Sequence, residues 1–189
     1  MCPSECWPIE ISEAFQSVFG GIDTCTDESE FYAPYNAMLS ELFPLKENFL
    51  VSPQYKRPPA GWSIDFTTVF VVQRQRHPVF FLEIKPPSHL KHIAERGAAD
   101  AQMRDRFAVL ADAVNVPILH GVSALGTNLA FYTYEASNGN ISPQGIPQDP
   151  SRVNDIAPSE RWNTRLFSET GHSKLSTIAT DIKEMVRIL

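Results

Sequence analysis

Val79-Phe80-Phe81-Leu82-Glu83-Ile84-Lys85-Pro86-Pro87 is the segment from which the rest of the chain is read. Its β-branched and aromatic content predicts a strand from Val79 to Lys85, and the two prolines stop the ladder because proline donates no backbone hydrogen bond. Alternate residues of a strand share a face, so Glu83 and Lys85 emerge together behind Val79 and Phe81. A strand face that begins apolar and ends in charge is turning from core toward a site or toward solvent.

Upstream, Ile64 to Val72 predicts a partner strand that carries Asp65, joined to the first through Gln73-Arg74-Gln75-Arg76-His77. The joining residues contain no Asn-Gly, Asp-Gly or Gly-X pair, which predicts an odd, longer loop over a tight two-residue turn. A loop centred on Arg74 or Gln75 sets Asp65 across from Glu83 or Lys85 on a shared face; an even two-residue loop would set Asp65 against Ile84. In the first arrangement two carboxylates and an ammonium converge at a sheet end. That suits a hard divalent cation such as Mg²⁺ or Mn²⁺, whose bound water can attack a phosphodiester. The plainer alternative is an exposed Glu83–Lys85 ion pair of small energetic value.

Around this hairpin the periodicity predicts further elements. Pro8 to Phe19 places Ile11, Phe15, Val18 and Phe19 on one helical face, with Gly20-Gly21 as its cap. Asp27-Glu28-Ser29-Glu30 opens a second helix that buries Tyr32, Tyr35, Met38, Leu39, Leu42 and Phe43, with Pro34 either in its first turn or kinking it. A short strand around Phe49 and Val51 follows. Leu90 to Val114 reads as a long helix whose small-residue face, Leu90, Ile93, Ala94, Gly97, Ala98 and Ala101, can lie close to a sheet. Strands Ile118 to Ala124 and Leu129 to Tyr134 meet through Gly126-Thr127-Asn128. Residues 136–172 predict an irregular wrap anchored by Trp162 and Phe167, and 173–189 a C-terminal helix striped by Leu175, Ile178, Ile182, Met185 and Leu189. The order is α-α-β-β-β-α-β-β-α, a mixed α/β fold in a single domain, 1–189, with its core at about 28–135.

Asp65, Glu83-Ile84-Lys85 at the end of an apolar strand, and Gln102 on the following helix resemble the signature of the PD-(D/E)XK nuclease superfamily, the restriction-endonuclease-like fold. That resemblance implies a three-layer α-β-β-β-α-β core, here with extra N- and C-terminal helices. It also implies a Mg²⁺-dependent (or Mn²⁺-dependent) nuclease in which Asp65, Glu83 and the backbone carbonyl of Ile84 hold the metal and Lys85 orients or activates the water. A helix glutamate often joins such sites, for which Glu30 is the first choice and Glu41 the second. The competing role of Glu30 is to complete a capping box with Asp27. Gln102-Met103-Arg104-Asp105-Arg106 resembles the glutamine-containing helix of the RecB-like branch, with Arg106-Phe107 where that branch has tyrosine. Gln102 and Arg106 lie one turn apart and share a face. Gln102 is taken as a catalytic candidate, and Arg106, Arg104 and Lys91 as substrate-binding candidates. From about Glu30 to Trp162 the chain also resembles a group of uncharacterised fungal proteins, through Tyr35-Asn36, Glu83-Ile84-Lys85-Pro86-Pro87, Ala99-Asp100-Ala101-Gln102, Gly121 to Gly126, and Asn154-Asp155 through Arg161-Trp162.

Composition bounds the partners. With 43% apolar and 20% charged residues in 189, a globular core is affordable. The net charge of −6 argues against a constitutive polyanion coat, yet the charge is uneven. Residues 1–50 carry nine acids against Lys46 alone, whereas 74–106 carry seven bases against four acids, so a phosphate-facing surface belongs in the second stretch. Cys2, Cys6 and Cys25 form neither an even set nor a C-x-x-C pair, which predicts a reducing compartment, cytoplasmic or nuclear, without a structural zinc site. No apolar run reaches about 18 residues, and Ser4, Glu5 and Trp7 stand where a signal peptide needs other residues, so no membrane span or leader is expected.

Gly121-Val122-Ser123-Ala124-Leu125-Gly126 invites comparison with a G-x-S-x-G nucleophile elbow, with Asp155 and His172 following, but Leu125 stands where the elbow needs glycine. Ser123 reads instead as a strand-end residue, and His120 as a core or edge histidine. Two functional classes remain: a nuclease acting on nucleic acid, with homodimerisation as one arrangement, and a non-catalytic module that reuses the fold to bind protein or nucleic acid.

Overall fold

The computed structural model describes residues 7–19, 27–53 and 68–189. Among them are four α-helices: α1 (Ile9–Phe19), α2 (Tyr32–Leu42), α3 (Ile93–Leu110) and α4 (Glu169–Arg187). The strands are β1 (Phe49–Pro53), β2 (Thr68–Arg74), β3 (His77–Lys85), β4 (Ile118–Leu125), β5 (Asn128–Glu135), β6 (Ile141–Ser142) and β7 (Thr164–Arg165). They form one mixed sheet in the order β1-β2-β3-β4-β5-β6, with β7 also on β5. The β1–β2, β2–β3 and β4–β5 pairs are antiparallel, and β3 and β4 are parallel. A parallel pair needs a crossover connection, and α3 supplies it.

Helices cover both faces. On one face Phe15 of α1, Tyr35, Met38 and Leu39 of α2, and Leu175, Ala179 and Ile182 of α4 meet Phe80, Leu82 and Ile84 of β3 and Val122 and Ala124 of β4. On the other, Ala99, Met103, Phe107 and Leu110 of α3 meet Val71, Phe81, Leu119, Leu125 and Tyr132, with Trp162 closing the end. β3 is therefore buried on both sides, which explains its unbroken apolar run before Glu83. α3 approaches the sheet closely at Gly121, where a Cβ would come within 2.6 Å of the Phe81 ring and 2.9 Å of the Met103 methyl. Among the described residues no helix is long and apolar enough to cross a membrane.

The structure corrects several expectations. The β2–β3 connection is a two-residue turn, not an odd, longer loop: Gln75 and Arg76 both take positive φ, 51° and 71°, between the paired Arg74 and His77. These are the signs of a type I′ turn, whose twist matches that of the strands without the usual glycine. A register shift between Val72 and Gln73 then moves the pairing by one residue, so that Val69 stands across from Glu83. Asp65 lies outside the described residues, as do the Gly20-Gly21 cap and the first residues of the strand predicted from Ile64.

The helix expected from Leu90 to Val114 is a 3-10 turn at Pro87–Lys91, then α3, then a second 3-10 turn at Ala111–Ala113. Its buried face is also rotated from the expected one. Ala94, Ala98 and Ala101 are exposed, while Arg96, Gly97, Ala99, Asp100 and Met103 are buried. The expected Arg96–Asp100 surface pair does not form. Arg96 instead pairs with Asp155 and donates to the carbonyls of Ala157 (2.9 Å) and Leu90 (2.8 Å). Asp100 accepts from Arg104 (2.8 Å), from the Tyr132 hydroxyl (2.9 Å) and from Arg161. These partners bring the charges into the core and fasten the wrap across α3. The second helix begins with a 3-10 turn, Glu28–Phe31, and Pro34 falls in the first turn of α2, where its missing N–H is harmless. α4 starts earlier than expected, after Ser168, whose hydroxyl accepts from the Gly171 N–H at 3.0 Å, and Leu189 at its end is exposed.

Candidate functional site

The site lies at the C-terminal end of β3, on the face covered by α3. Strand alternation places Glu83 and Lys85 on the Phe81 side, and both are buried, at 2% and 8% exposure. The parallel pairing sets Glu83 beside Ser123 of β4 and Lys85 beside Leu125. The Ser123 hydroxyl, buried, accepts from the Trp162 indole N–H at 3.2 Å, which ties β4 to the end of the wrap.

Glu83 is a carboxylate buried without a hydrogen bond: both of its oxygens lack a partner. Burial pushes its carboxyl above the ordinary range; Arg106 and then Lys85 pull it back, while Glu28 and Asp105 push it further up. Leaving such a group unsatisfied costs free energy, about 1–3 kcal/mol for a neutral polar group and more for a charge. Two side chains of α3 share the condition. The Gln102 Oε1 and, one turn on, the Arg106 Nε are buried without partners. Among the described residues five buried side-chain polar atoms are unpartnered, and four belong to Glu83, Gln102 and Arg106. The fifth, the Ser12 hydroxyl, belongs to α1.

The glutamate that meets this group is Glu28, which sequence reasoning missed. Its Oε2 lies 4.0 Å from the Lys85 Nζ, and its Oε1 accepts from the Tyr32 hydroxyl at 3.0 Å. Glu30 and Glu41, the residues expected in this role, are exposed. Asp27 caps its own turn by accepting from the Ser29 N–H at 2.8 Å. A 3-10 turn here, where a regular helix was expected, rotates position 28 toward the strand end. The one signal available in the sequence was Glu28-x-x-x-Tyr32, an i,i+4 pair.

The remaining candidates separate. Arg104 is committed to structure, bonding Asp100 and donating to the Pro143 carbonyl at 2.9 Å. Lys91 is exposed at the end of the 3-10 turn that leaves β3. On the same turn His89 lies 3.4 Å from Glu95; burial lowers its pKa, Glu95 opposes that, and Lys85 adds to it. His120 is half-buried, with its pKa lowered by burial against the opposing influence of Asp181. Ile84 turns its side chain into the opposite core. Among the described residues no group of three or more His, Cys, Asp or Glu side chains is arranged to hold a metal ion. Comparison with family models, curated proteins and solved structures finds no match to this chain.

Proposed function

We propose that this protein is a metal-dependent phosphodiesterase acting on nucleic acid, built on a restriction-endonuclease-like core. One observation carries the reading: Glu83, 2% exposed, ends a core strand with both carboxylate oxygens unpartnered, beside Lys85 and within reach of Glu28 through that lysine. A buried carboxyl without hydrogen-bond partners, beside a lysine that a second acid approaches, suits a divalent cation. The succession α2-β1-β2-β3-α3-β4, with three antiparallel neighbours and β4 parallel to β3, supports the core assignment.

Glu83, Asp65 and the Ile84 carbonyl would hold Mg²⁺ or Mn²⁺, with Glu28 as the added acid. When bound, the cation supplies Lewis acidity at the phosphate and makes water more acidic. Lys85, almost fully buried, would face the negative charge that develops on the phosphoryl group and orient the attacking water. Lys91, exposed beside the strand end, meets the nucleic-acid backbone. The protein would act in the cytoplasm or nucleus, and pairing of two copies would let it cut both strands.

The test is cleavage of DNA and RNA by the purified chain with Mg²⁺ or Mn²⁺. Lys85→Ala and Asp65→Ala are expected to lower the rate by about 10²–10³-fold at an unchanged thermal midpoint. No cleavage together with no cation binding by calorimetry overturns the reading and favours a binding module.

A further inference from the structure

The arginine on α3 is used differently from the other arginines of that helix. Arg96 is fixed by a carboxylate and two backbone carbonyls, and Arg104 by a carboxylate and one. Arg106 has a buried Nε without a partner, and its charge favours the ionised form of Glu83, whose two oxygens are likewise without a hydrogen bond. The two attract but are not joined: among the described residues Arg106 forms no ion pair within 4.0 Å, although Arg96, Arg104 and Arg161 all do. An arginine held near a buried carboxylate without being bonded to it neutralises charge at small geometric cost and stays available. Its planar fork of donors matches the paired oxygens of a phosphate.

We propose that Arg106 is the exchangeable counter-ion of the site, balancing Glu83 while no cation is bound and turning to an anionic phosphoryl oxygen of the substrate when one is. This rests on the phosphodiesterase reading and adds a linkage to it. A divalent cation on Glu83 takes over the role of Arg106 and repels it, so the guanidinium gains by meeting an anion. By reciprocity, an anion on Arg106 withdraws a competing positive charge from Glu83 and tightens the cation. Gln102, one turn earlier with its own carbonyl oxygen unpartnered, lies on the same face and supplies an acceptor for a substrate hydroxyl or amine.

The linkage is measured with the whole chain, Ca²⁺ as the cation probe and a short mixed-sequence DNA or RNA strand as the anion probe. Calorimetry reads the first and fluorescence anisotropy the second. In the wild type, saturating Ca²⁺ is expected to tighten oligonucleotide binding by about 5- to 150-fold, the range of typical coupling between sites. In Arg106→Gln, Ca²⁺ binding without oligonucleotide is expected to tighten by about tenfold, because a like charge has been removed. Oligonucleotide binding in Ca²⁺ should weaken, and the coupling should fall toward unity. Arg106→Lys keeps the charge but not the fork, so it should retain wild-type Ca²⁺ affinity and lose part of the oligonucleotide affinity. Unchanged or weaker Ca²⁺ binding in Arg106→Gln, or coupling that survives it, overturns the proposal while leaving the phosphodiesterase reading standing. A wild type that binds no cation overturns both.

Discussion

The Gly126 N–H donates to the Lys85 carbonyl at 2.9 Å, which extends the parallel ladder one residue past β4 and fixes the end of β3. The same glycine has φ +60°, its carbonyl accepts from the buried Tyr35 hydroxyl at 2.7 Å, and a Cβ there would lie 2.7 Å from Pro87. Three elements thus converge on the backbone that carries Lys85. Gly126→Ala is expected to destabilise the fold by about 1–3 kcal/mol, from left-handed strain and the clash with proline. It should also lower cleavage beyond the loss of folded protein, read by pairing denaturant unfolding with activity per folded molecule.

Glu28 and Glu30 are two residues apart and point to different surroundings. If Glu28 joins the cation site, Glu28→Gln weakens Mg²⁺ binding and slows cleavage about tenfold or more, while Glu30→Gln leaves both as they were. Calorimetric titration of the two variants separates them; equal behaviour would count against Glu28. Tyr32→Phe should produce a smaller loss than Glu28→Gln, since it frees the Glu28 carboxylate without removing it.

The raised Glu83 carboxyl gives a stability signature in the absence of divalent cations. A carboxyl that holds its proton more tightly folded than unfolded favours the folded state below its unfolded pKa, and that contribution is lost as pH rises through the folded pKa. The wild-type thermal midpoint should therefore fall relative to Glu83→Gln as pH climbs from the ordinary value of 4.5 through the raised one. At neutral pH the variant should be the more stable protein, with the difference closing in acid. A constant difference across that window would contradict a burial cost on Glu83 larger than the opposing pull of Arg106 and Lys85.

Asp100 binds Arg104, Arg161 and Tyr132 together, and breaking a buried pair from one side leaves its partner charge exposed to the core. Asp100→Ala is expected to cost about 3–5 kcal/mol. Tyr132→Phe, which removes one hydrogen bond, should cost about 1 kcal/mol. Chemical denaturation measures both, and limited proteolysis should cut the 136–165 segment faster in Asp100→Ala.

Much of the architecture was legible because apolar patterning reports burial directly. Val79 to Lys85 and Ile118 to Ala124 read as strands since each is enclosed on both faces, and the amphipathic α1 and α4 announced their inner sides. What misled was chemistry that depends on distant partners. Arg96 and Asp100 looked like a solvated pair because Asp155, Ala157 and Arg161, which draw them inward, lie some sixty positions along the chain. The hairpin turn was misjudged because Gln75 and Arg76 accept positive φ without glycine, and the bulge at Val72 has no local signature. At the site, Glu83 and Lys85 were visible from strand alternation alone. Glu28 was not, since only the tight 3-10 winding of its turn brings it to Lys85.

Gly121 faces Phe81 across the β3–β4 pair with no spare room. The two positions share one volume, so evolutionary change at either is constrained by the other: a larger side chain at 121 can be accepted only where the ring at 81 has shrunk. Sequences descended from a common ancestor with this chain should therefore exchange size between these two sites in step, and a bulky residue at both would mark a fold in which α3 has moved away from the sheet.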